Sequence, residues 1–562
     1  MLPRTRLAVA VALLAVAIRP ARGDERPAPD LSGCESASAA ELEGHERRVG
    51  RIEVIAGDIF DESKPEERFA LFRAANRLHR TTRPEVIRRM LLFASGDRYS
   101  ARLVAESERI LRSHRYFFDA RIVPIRCEGD RVDLEVRTRD VWSLDAGARF
   151  GRSGGTNSVS FDAQDKNFLG TGKELAAVWE TNVDRDTALL RYQDDRLLGT
   201  HLRLETEVAK STDGHAVLVD FARPFYSLDT RWSAGLHVVS DDLVDSRYRL
   251  GHVFDRFRHA SELVELSAGW SPGRQGDSTM RLSAGLRYED QSFTAVGPDD
   301  GSGPPTGELP RDRTLAYPWV AWEWAEDGYV VASDLDKIRR SEDLNLGREA
   351  AVRLGRNLGG LGASESSWIV SARWSDGVRL GERHLLVYES GFSGRFGDGG
   401  ARDVRASFSA RDLMTDFGRH RLVLGVWLDA TRRADPETQL LLGGDNGLRG
   451  YPLRYQEGDR RVLFSIEQRF YSEREILHVA HLGAAIFADA GRAWFNELHE
   501  TPARSPGPGP ASGWLGDVGV GLRLSSSRSS RGAMIHFDLA LPLAGPSDLA
   551  HLQWLVTTSD RF

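Results

Sequence analysis

Cysteine is almost absent from this chain, which has only Cys34 and Cys127 among 562 residues. Two thiols can pair once and leave none free, a usage that suits an oxidising compartment. If they pair, the disulfide closes a loop of about 90 residues and adds roughly 4 kcal/mol of stability in the chain-entropy model. The sequence predicts a candidate disulfide and leaves its formation open.

A dominant sign of charge is also lacking. The 75 basic and 82 acidic residues leave a formal net charge of −7. Such a balance gives no field suited to holding a polyanion, so nucleic acid is not expected as a partner. No His, Cys or carboxylate cluster has the spacing of metal ligands, and we expect neither a metal nor a cofactor.

Apolar runs are short, and the longest stands at the N-terminus. Basic residues precede the apolar run from Leu7 to Ile18, and Ala21-Arg-Gly23 follows as a small-x-small cleavage site. About a dozen apolar residues are fewer than the roughly 20 that span a bilayer. The pattern predicts a signal peptide over residues 1–23 and a linker over 24–50. Leu31-Ser-Gly-Cys34 resembles a lipoprotein box, but charged residues separate it from the apolar run.

No later stretch approaches 18 apolar residues, and the mean hydropathy is −0.38. Helical membrane spans are therefore excluded after residue 18. A membrane β-barrel is not excluded, because its lumen-facing residues dilute the hydropathy of every strand.

Residues 51–140 change element type several times. A strand around Ile52 is followed by two helical patterns, one after a Thr82/Glu85 capping box and one that Ser100 can cap. Two alternating segments, 120–126 and 131–138, close the region. The pattern predicts a small α+β domain with the order β-α-α-β-β.

After Val141 the helical signal disappears. Segments of about ten residues alternate apolar and polar positions and are separated by Gly, Pro, Asp and Asn. Such strands could pack in a soluble sandwich or face lipid in a closed barrel. The export signal, the long uninterrupted series and the contrast of long and tight loops favour the barrel, over residues 141–562. Tryptophans placed near strand ends agree with it: Trp319, Trp322, Trp324, Trp368 and Trp374.

Two late motifs carry a family resemblance. Gly443-Gly-Asp-Asn-Gly-Leu-Arg449-Gly450-Tyr451 stands in a long loop, and Phe487-Ala-Asp489-Ala-Gly491 comes one strand later. The pair resembles the BamA/TamA superfamily of outer-membrane assembly factors and two-partner secretion pores. Gln164-Asp-Lys-Asn-Phe-Leu-Gly-Thr-Gly172 is similar to the early-barrel motif of that family, and the β-α-α-β-β region to its periplasmic POTRA module.

The resemblance implies that Arg449, at the tip of an inward-folded loop, pairs with Asp489 on the barrel wall. A bidentate guanidinium–carboxylate contact would hold the loop in the lumen. Gly450 and Gly491 would allow close backbone approach. Taken alone, Leu-Arg-Gly-Tyr is equally an ordinary glycine turn, and only the partner motif favours the lock.

The family's barrel implies about sixteen strands, five of which follow the loop. Five alternating segments do follow it here, between residues 462 and 562. Ahead of the loop there are about sixteen candidate runs rather than eleven, so either some runs are not wall strands or the barrel is larger. Phe562 resembles the family's C-terminal barrel signal, although Asp560 departs from the usual alternation.

An enzyme is not expected. Gly151-Arg-Ser153-Gly-Gly155 fits the nucleophile-elbow pattern, but no helical pattern follows it, as an elbow requires. The resemblance instead implies a Gram-negative outer-membrane protein that inserts or translocates polypeptides through a seam between its first and last strands. Its expected partners are unfolded outer-membrane or secreted polypeptides, outer-membrane lipid and accessory periplasmic proteins. The alternative is a passive pore or structural barrel without clients.

Overall fold

The alternating segments form a closed ring of antiparallel strands in the computed structural model. The structure describes residues 39–44, 46–296, 308–335, 338, 341–381, 383–415, 420–496, 513–529, 534–545, 549 and 551–559. Both the predicted signal peptide and the C-terminal Phe562 lie outside these residues. No helix in this part of the chain has the length and apolarity needed to cross a membrane.

An N-terminal unit precedes the ring. Its three-stranded sheet has the order β1-β3-β2, in which β1 runs parallel to β3 and β2 antiparallel to it. Buried apolar residues of α3 and α4 pack on one face of this sheet. The elements are α1 Ala39–Gly44, β1 Arg48–Gly57, α2 Ala70–Leu78, α3 Pro84–Met90, α4 Ala101–Ser113, β2 Phe117–Glu128 and β3 Arg131–Asp140.

Two local predictions for this unit were wrong. Thr82 does not cap α3, because its hydroxyl contacts the buried Asp140 carboxylate, and Arg83 is the N-cap residue. Ser100 occupies the N-cap position of α4 but makes no side-chain capping bond. The helices α1 and α2 were not predicted; α2 buries only Phe72 fully, so it presents no buried apolar face to the unit.

Twenty strands build the wall in the described part of the chain, rather than about sixteen. The number sixteen came from the resemblance, whereas fifteen of the alternating runs ahead of the long loop are wall strands. Before the loop the ring and its insertions comprise β4 Leu144–Ser153, β5 Thr156–Asp165, β6 Lys173–Thr181, β7 Asp186–Leu197, β8 Leu202–Ser211, β9 Gly214–Arg223, β10 Trp232–Arg249, β11 His252–Trp270, β12 Arg274–Gln275, β13 Ser278–Ala295, β14 Arg313–Glu326, β15 Tyr329–Ser333, β16 Ser341–Asn345, β17 Glu349–Asn357, β18 Ser367–Arg379, β19 His384–Gly397, β20 Gly400–Thr415 and β21 Arg421–Arg432.

The long loop and the last five strands complete the ring, as the alternation predicted. Their bounds are β22 Leu440–Leu442, β23 Gln456–Gly458, β24 Arg460–Ile476, β25 Ala480–Trp494, β26 Leu515–Ser526, β27 Met534–Pro542 and β28 Gln553–Ser559. Four short strands lie outside the wall. The strand β15 pairs only with β16, and β22 pairs only with β23. The two-residue β12 extends the turn before β13.

Apolar side chains cover the outside of the wall. Along each strand, exposed apolar residues alternate with lumen-facing polar ones, as Phe464 and Ile466 alternate with Ser465 and Glu467. This is the arrangement of barrels that face lipid. Trp322 and Trp368 are exposed on this surface, but Trp319 is buried on the lumen side, contrary to its predicted place in an interfacial girdle.

The ring is weakest where it closes. Among the described residues, β28 and β4 share one register pair, Val556 with Arg152, whereas β24 and β25 share fourteen. On the outer surface Trp554 stacks on Phe150 and lies under the Arg152 guanidinium. Side chains thus bridge a junction, here called the seam, that the backbone hardly joins.

The seam should therefore exchange its amide hydrogens sooner than the rest of the wall. We expect the amides of β28 to exchange faster than those of β25 in the folded, detergent-solubilised protein, because few of them are protected by β4. Hydrogen–deuterium exchange with mass spectrometry measures both strands in one sample. Equal protection of the two strands would contradict a weak seam.

Candidate functional site: the occupied lumen and the seam

The long loop between β21 and β24 folds into the lumen, where its tip is buried. Leu442, Leu448, Tyr451 and Tyr455 form an apolar cluster with the wall residue Leu463. The Tyr451 hydroxyl lies 2.7 Å from the Ala544 carbonyl oxygen and 2.9 Å from that of Gly516. We call the end of the barrel from which this loop enters the loop end.

Arg449 at the loop tip contacts the wall at Asp489. Its Nε lies 2.7 Å from one carboxylate oxygen and its Nη2 lies 3.1 Å from the other, which is the bidentate geometry. The guanidinium carbon also lies 3.3 Å from the centre of the Phe487 ring. The two motifs quoted from the sequence are thus brought together on one buried contact.

The two motif glycines stand where side chains would collide. A Cβ at Gly450 would lie 2.7 Å from the Asp517 Cβ, and one at Gly491 would lie 2.8 Å from the Val462 carbonyl oxygen. The Gly450 amide also donates to the Asp517 carboxylate at 3.0 Å. Both positions therefore require glycine for close approach of loop and wall.

The sequence analysis missed most of the ion cluster around Arg449. Glu467 lies 2.7 Å from the Arg449 Nη1 and also pairs with Arg469 and Arg523. Asp538 lies 2.5 Å from Arg523 and 3.4 Å from Arg449. All of these residues are buried. A sequence signal was present, since the wall residues Glu467, Arg469, Arg523 and Asp538 occupy lumen-facing positions of alternating strands, but that pattern does not reveal which of them meet.

A second element occupies the lumen from the opposite end. The lumen hairpin comprises β15, β16 and the described residues between them. Leu335 packs against Leu385, Leu413 and Val423 of the wall, and Ile338 packs against Tyr471 and Met534. This hairpin was not predicted, because its strands alternate like those of the wall.

One arginine joins the two lumen elements. The Arg469 Nη1 donates to the Leu335 carbonyl oxygen at 3.1 Å, while its Nε contacts Glu467 at 2.9 Å. Glu467 in turn binds Arg449. A continuous chain of buried polar contacts therefore runs from the loop tip to the lumen hairpin.

The N-terminal unit holds the other side of the hairpin. Arg112 of α4 makes a bidentate contact with Asp343 of β16, at 2.8 and 3.0 Å, and Arg109 stacks on the Tyr329 ring. Burial opposes the charge of Arg112, yet the hydrogen bond and the charge of Asp343 raise the pKa of Arg112 above its ordinary value. The hairpin is thus fixed from both sides.

The early-barrel motif also contacts this unit. The Asn167 amide donates to the Thr82 hydroxyl at 2.7 Å, and the Arg83 amide donates to the Gly170 carbonyl at 3.0 Å. A Cβ at Gly170 would lie 2.4 Å from the Thr81 carbonyl oxygen, so glycine is required there. The motif therefore docks the first β-turn at this end on the unit; we call this end of the barrel the domain end.

A cavity of about 1080 Å³ lies at the domain end beside the seam. Its lining includes Arg149 and Gln164 of the first strands, Ile535 and Thr558 of the last strands, and His114 of the unit. Burial lowers the pKa of His114, although the charge of Asp195 opposes the shift. The cavity thus has walls on both sides of the seam.

The remaining predicted sites gain little support from the structure. Ser153 is the last residue of β4, directly before the two-residue turn of Gly154 and Gly155, both of which have positive φ. It is not on the strand-to-helix elbow that a nucleophile needs. Cys127 packs against the core of the unit, and Cys34 lies outside the described residues, so the disulfide stays a prediction. In the part of the chain that the structure describes, no group of His, Cys, Asp and Glu could hold a metal ion.

Fold and site together define a class: a large β-barrel whose lumen holds an inward-folded loop on a buried arginine–carboxylate cluster. Three solved structures are similar to the chain. BamA from Haemophilus ducreyi lacking POTRA domains 1–3 aligns over 91% of this chain and 84% of its own, with 12% identity and a TM-score of 0.39. CdiB from Acinetobacter baumannii aligns over 91% and 73%, with 11% identity and a TM-score of 0.38. CdiB from Escherichia coli aligns over 91% and 76%, with 15% identity and a TM-score of 0.44.

No protein-family model and no curated protein matches the sequence.

Replacing Arg449 by Ala should release the loop tip. Removing one partner of a buried ion pair costs about 3–5 kcal/mol, because the other charge stays buried. We expect chymotrypsin to cleave the folded variant after Tyr455, which is buried in the wild type, whereas Pro452 blocks cleavage after Tyr451. Arg449→Lys should be intermediate, because it keeps the charge and loses the bidentate contact.

The control is Arg433→Ala, which removes an exposed arginine of the same loop whose guanidinium contacts the Gly399 carbonyl oxygen. Equal protection of the loop in the Arg449→Ala and Arg433→Ala proteins would remove the proposed importance of Arg449.

Charged residues at the tip of the lumen hairpin should open a path through the barrel. We expect Leu335→Asp with Ile338→Asp to expel the tip, because both side chains pack against apolar wall residues and burying two carboxylates there is costly. Conductance in planar lipid bilayers should rise several-fold. Leu380→Asp, at an exposed leucine of another domain-end turn, is the matched control and should leave conductance unchanged. An unchanged conductance in the double variant would show that the hairpin does not obstruct the lumen.

Proposed function

We propose that this chain is an outer-membrane barrel of the BamA/TamA type that inserts or translocates polypeptides through its seam. The domain end faces the periplasm and the loop end faces the outside. The observation that carries the proposal is the seam, with one register pair between β28 and β4 beside a large polar cavity.

An opened seam exposes backbone N–H and C=O groups of β4 and β28. Each such group left unpaired in lipid costs several kcal/mol. A polypeptide strand that pairs with either edge removes that cost, so the edge captures a client by β-augmentation. The cavity at the domain end gives the incoming segment a polar entry with walls on both sides of the seam.

The N-terminal unit serves as a POTRA-like periplasmic module. Its sheet ends in two edges, β1 and β2, and either edge can accept an extended client strand. Its contacts with the early-barrel motif hold it at the mouth of the cavity. A client bound to the unit therefore lies close to the seam.

The occupied lumen distinguishes this function from passive conduction. The loop fills one end and the lumen hairpin enters from the other, joined through Arg449, Glu467 and Arg469. A passive pore benefits from an open path, whereas a lateral insertase or a gated translocator needs the lumen held shut. A passive or structural barrel without clients remains the alternative that the experiment tests.

Locking the seam should abolish the activity. Arg152→Cys with Val556→Cys places thiols on the one register pair that joins β4 to β28. We expect a strain that depends on this variant to lose other barrel proteins, or one secreted polypeptide, from its outer membrane until a reductant is added. Quantitative proteomics of isolated outer membranes measures the loss.

The matched control is Arg152→Cys with Asn157→Cys, which shares one thiol and joins β4 to β5 instead. Wild-type cells treated with the same reductant serve as the control for the native cysteines. An unaltered outer-membrane profile in cells with the crosslinked seam, or in cells depleted of the protein, would favour the passive barrel.

A further inference from the structure

The helix α2 leaves an apolar stripe uncovered at the rim of the barrel. Leu71 and Leu78 are each 75% exposed, and Ala74 between them is also exposed. Positions i, i+3 and i+7 lie on one helical face. Buried apolar side chains on the other face already secure the helix, because Phe72 stacks on Phe60 at 4.1 Å.

The exposed stripe is therefore not needed to hold the helix in place. Leucines exposed two turns apart on a nine-residue helix leave apolar surface in water, which is unfavourable unless something covers them.

Basic side chains flank the stripe. Arg73 and Arg77 are exposed on the same helix, and Arg80 follows its end. The helix itself has no acidic residue. Arginines whose stems lie along apolar surface while their heads reach a polar boundary are typical of helices at a lipid headgroup layer. The charge of this surface therefore fits anionic headgroups.

The stripe is continuous with the lipid-facing surface of the barrel. An apolar pocket of about 340 Å³ lies between Leu78 and the outer face of the first strands. Its lining includes Leu144, Phe168, Leu169 and Leu175, all of which are exposed apolar residues at the domain end.

Leu169 has a φ of +53°. A non-glycine residue rarely adopts this conformation, and here the turn holds a leucine outward beside the helix.

We propose that α2 and the adjoining pocket form a lipid-docking surface for anionic phospholipid of the periplasmic leaflet. The stripe of Leu71, Ala74 and Leu78 enters the apolar boundary, an acyl chain occupies the pocket, and Arg73 and Arg77 contact phosphate. The proposal rests on the membrane orientation given above and goes beyond it. Docking fixes the N-terminal unit against the membrane next to β4, the first strand of the seam.

Photo-crosslinking in vesicles tests the proposal with the full chain. p-Benzoylphenylalanine replaces Leu71 in one protein and Ile55 in another. Ile55 is exposed on the face of the sheet opposite to the helices that contact the barrel, so it points away from the membrane. Both proteins are folded into vesicles of phosphatidylethanolamine with phosphatidylglycerol, and adducts are identified by mass spectrometry.

We expect a phospholipid adduct from position 71 in several-fold excess over position 55. The added changes Arg73→Gln and Arg77→Gln should lower that yield several-fold, but not in vesicles in which phosphatidylcholine replaces phosphatidylglycerol. A yield at position 71 no higher than at position 55, a polypeptide adduct instead of a lipid adduct, or a yield independent of both arginines would overturn the proposal.

Barrel insertion is checked on the same samples by flotation of the vesicles and heat-modifiable migration. If the barrel inserts but no lipid adduct forms at position 71, only the proposed docking surface is refuted. If the chain does not insert, the proposed function is refuted as well.

Discussion

The constraint on which this structure depends is that every wall strand must find two neighbours. In lipid an unpaired strand edge costs several kcal/mol per exposed backbone group, so a membrane sheet must close on itself. Nineteen of the twenty junctions between the described wall strands meet this demand with ladders, and the junction of β28 with β4 meets it with one register pair and a tryptophan. The weakness is thus confined to one place, and the other features of the molecule surround it.

Inside the ring, a buried charged cluster adds to the apolar contacts of the loop and of the lumen hairpin. Arg449, Arg469 and Arg523 share the carboxylates of Glu467, Asp489 and Asp538 in a buried cluster. Such a cluster contributes little net stability, because desolvation offsets much of the attraction. Its value is geometric: a guanidinium fork fixes the position of the loop tip, and Arg469 carries the same network to the lumen hairpin.

The sequence predicted the strands with one apolar and one polar face, the five strands after the loop, and the two motifs that meet at Arg449 and Asp489. The contact between Arg449 and Asp489 could be predicted because both residues stand in motifs that resemble those of a known family. Glu467 and Asp538 could be placed on the lumen side by alternation, but their partners depend on the infolded loop and on the register between neighbouring strands, which alternation does not give. The strand number failed because it was taken from the resemblance. The lumen hairpin was invisible, since the alternation of Tyr329–Ser333 has the same period whether a strand joins the wall or enters the lumen.

The N-terminal unit contacts the wall on both sides of the seam at the domain end. On the first side Asn167 bonds to Thr82. On the last side the Arg528 guanidinium lies 3.1 Å from Glu67, and the Arg528 carbonyl accepts from the Trp142 amide at 2.6 Å. These contacts lie in the β5–β6 and β26–β27 turns, one on each side of the seam. Because β4 and β28 hardly bond to each other, a displacement of the unit would act on the strands beside the seam, whereas the remainder of the wall is held by its own ladders.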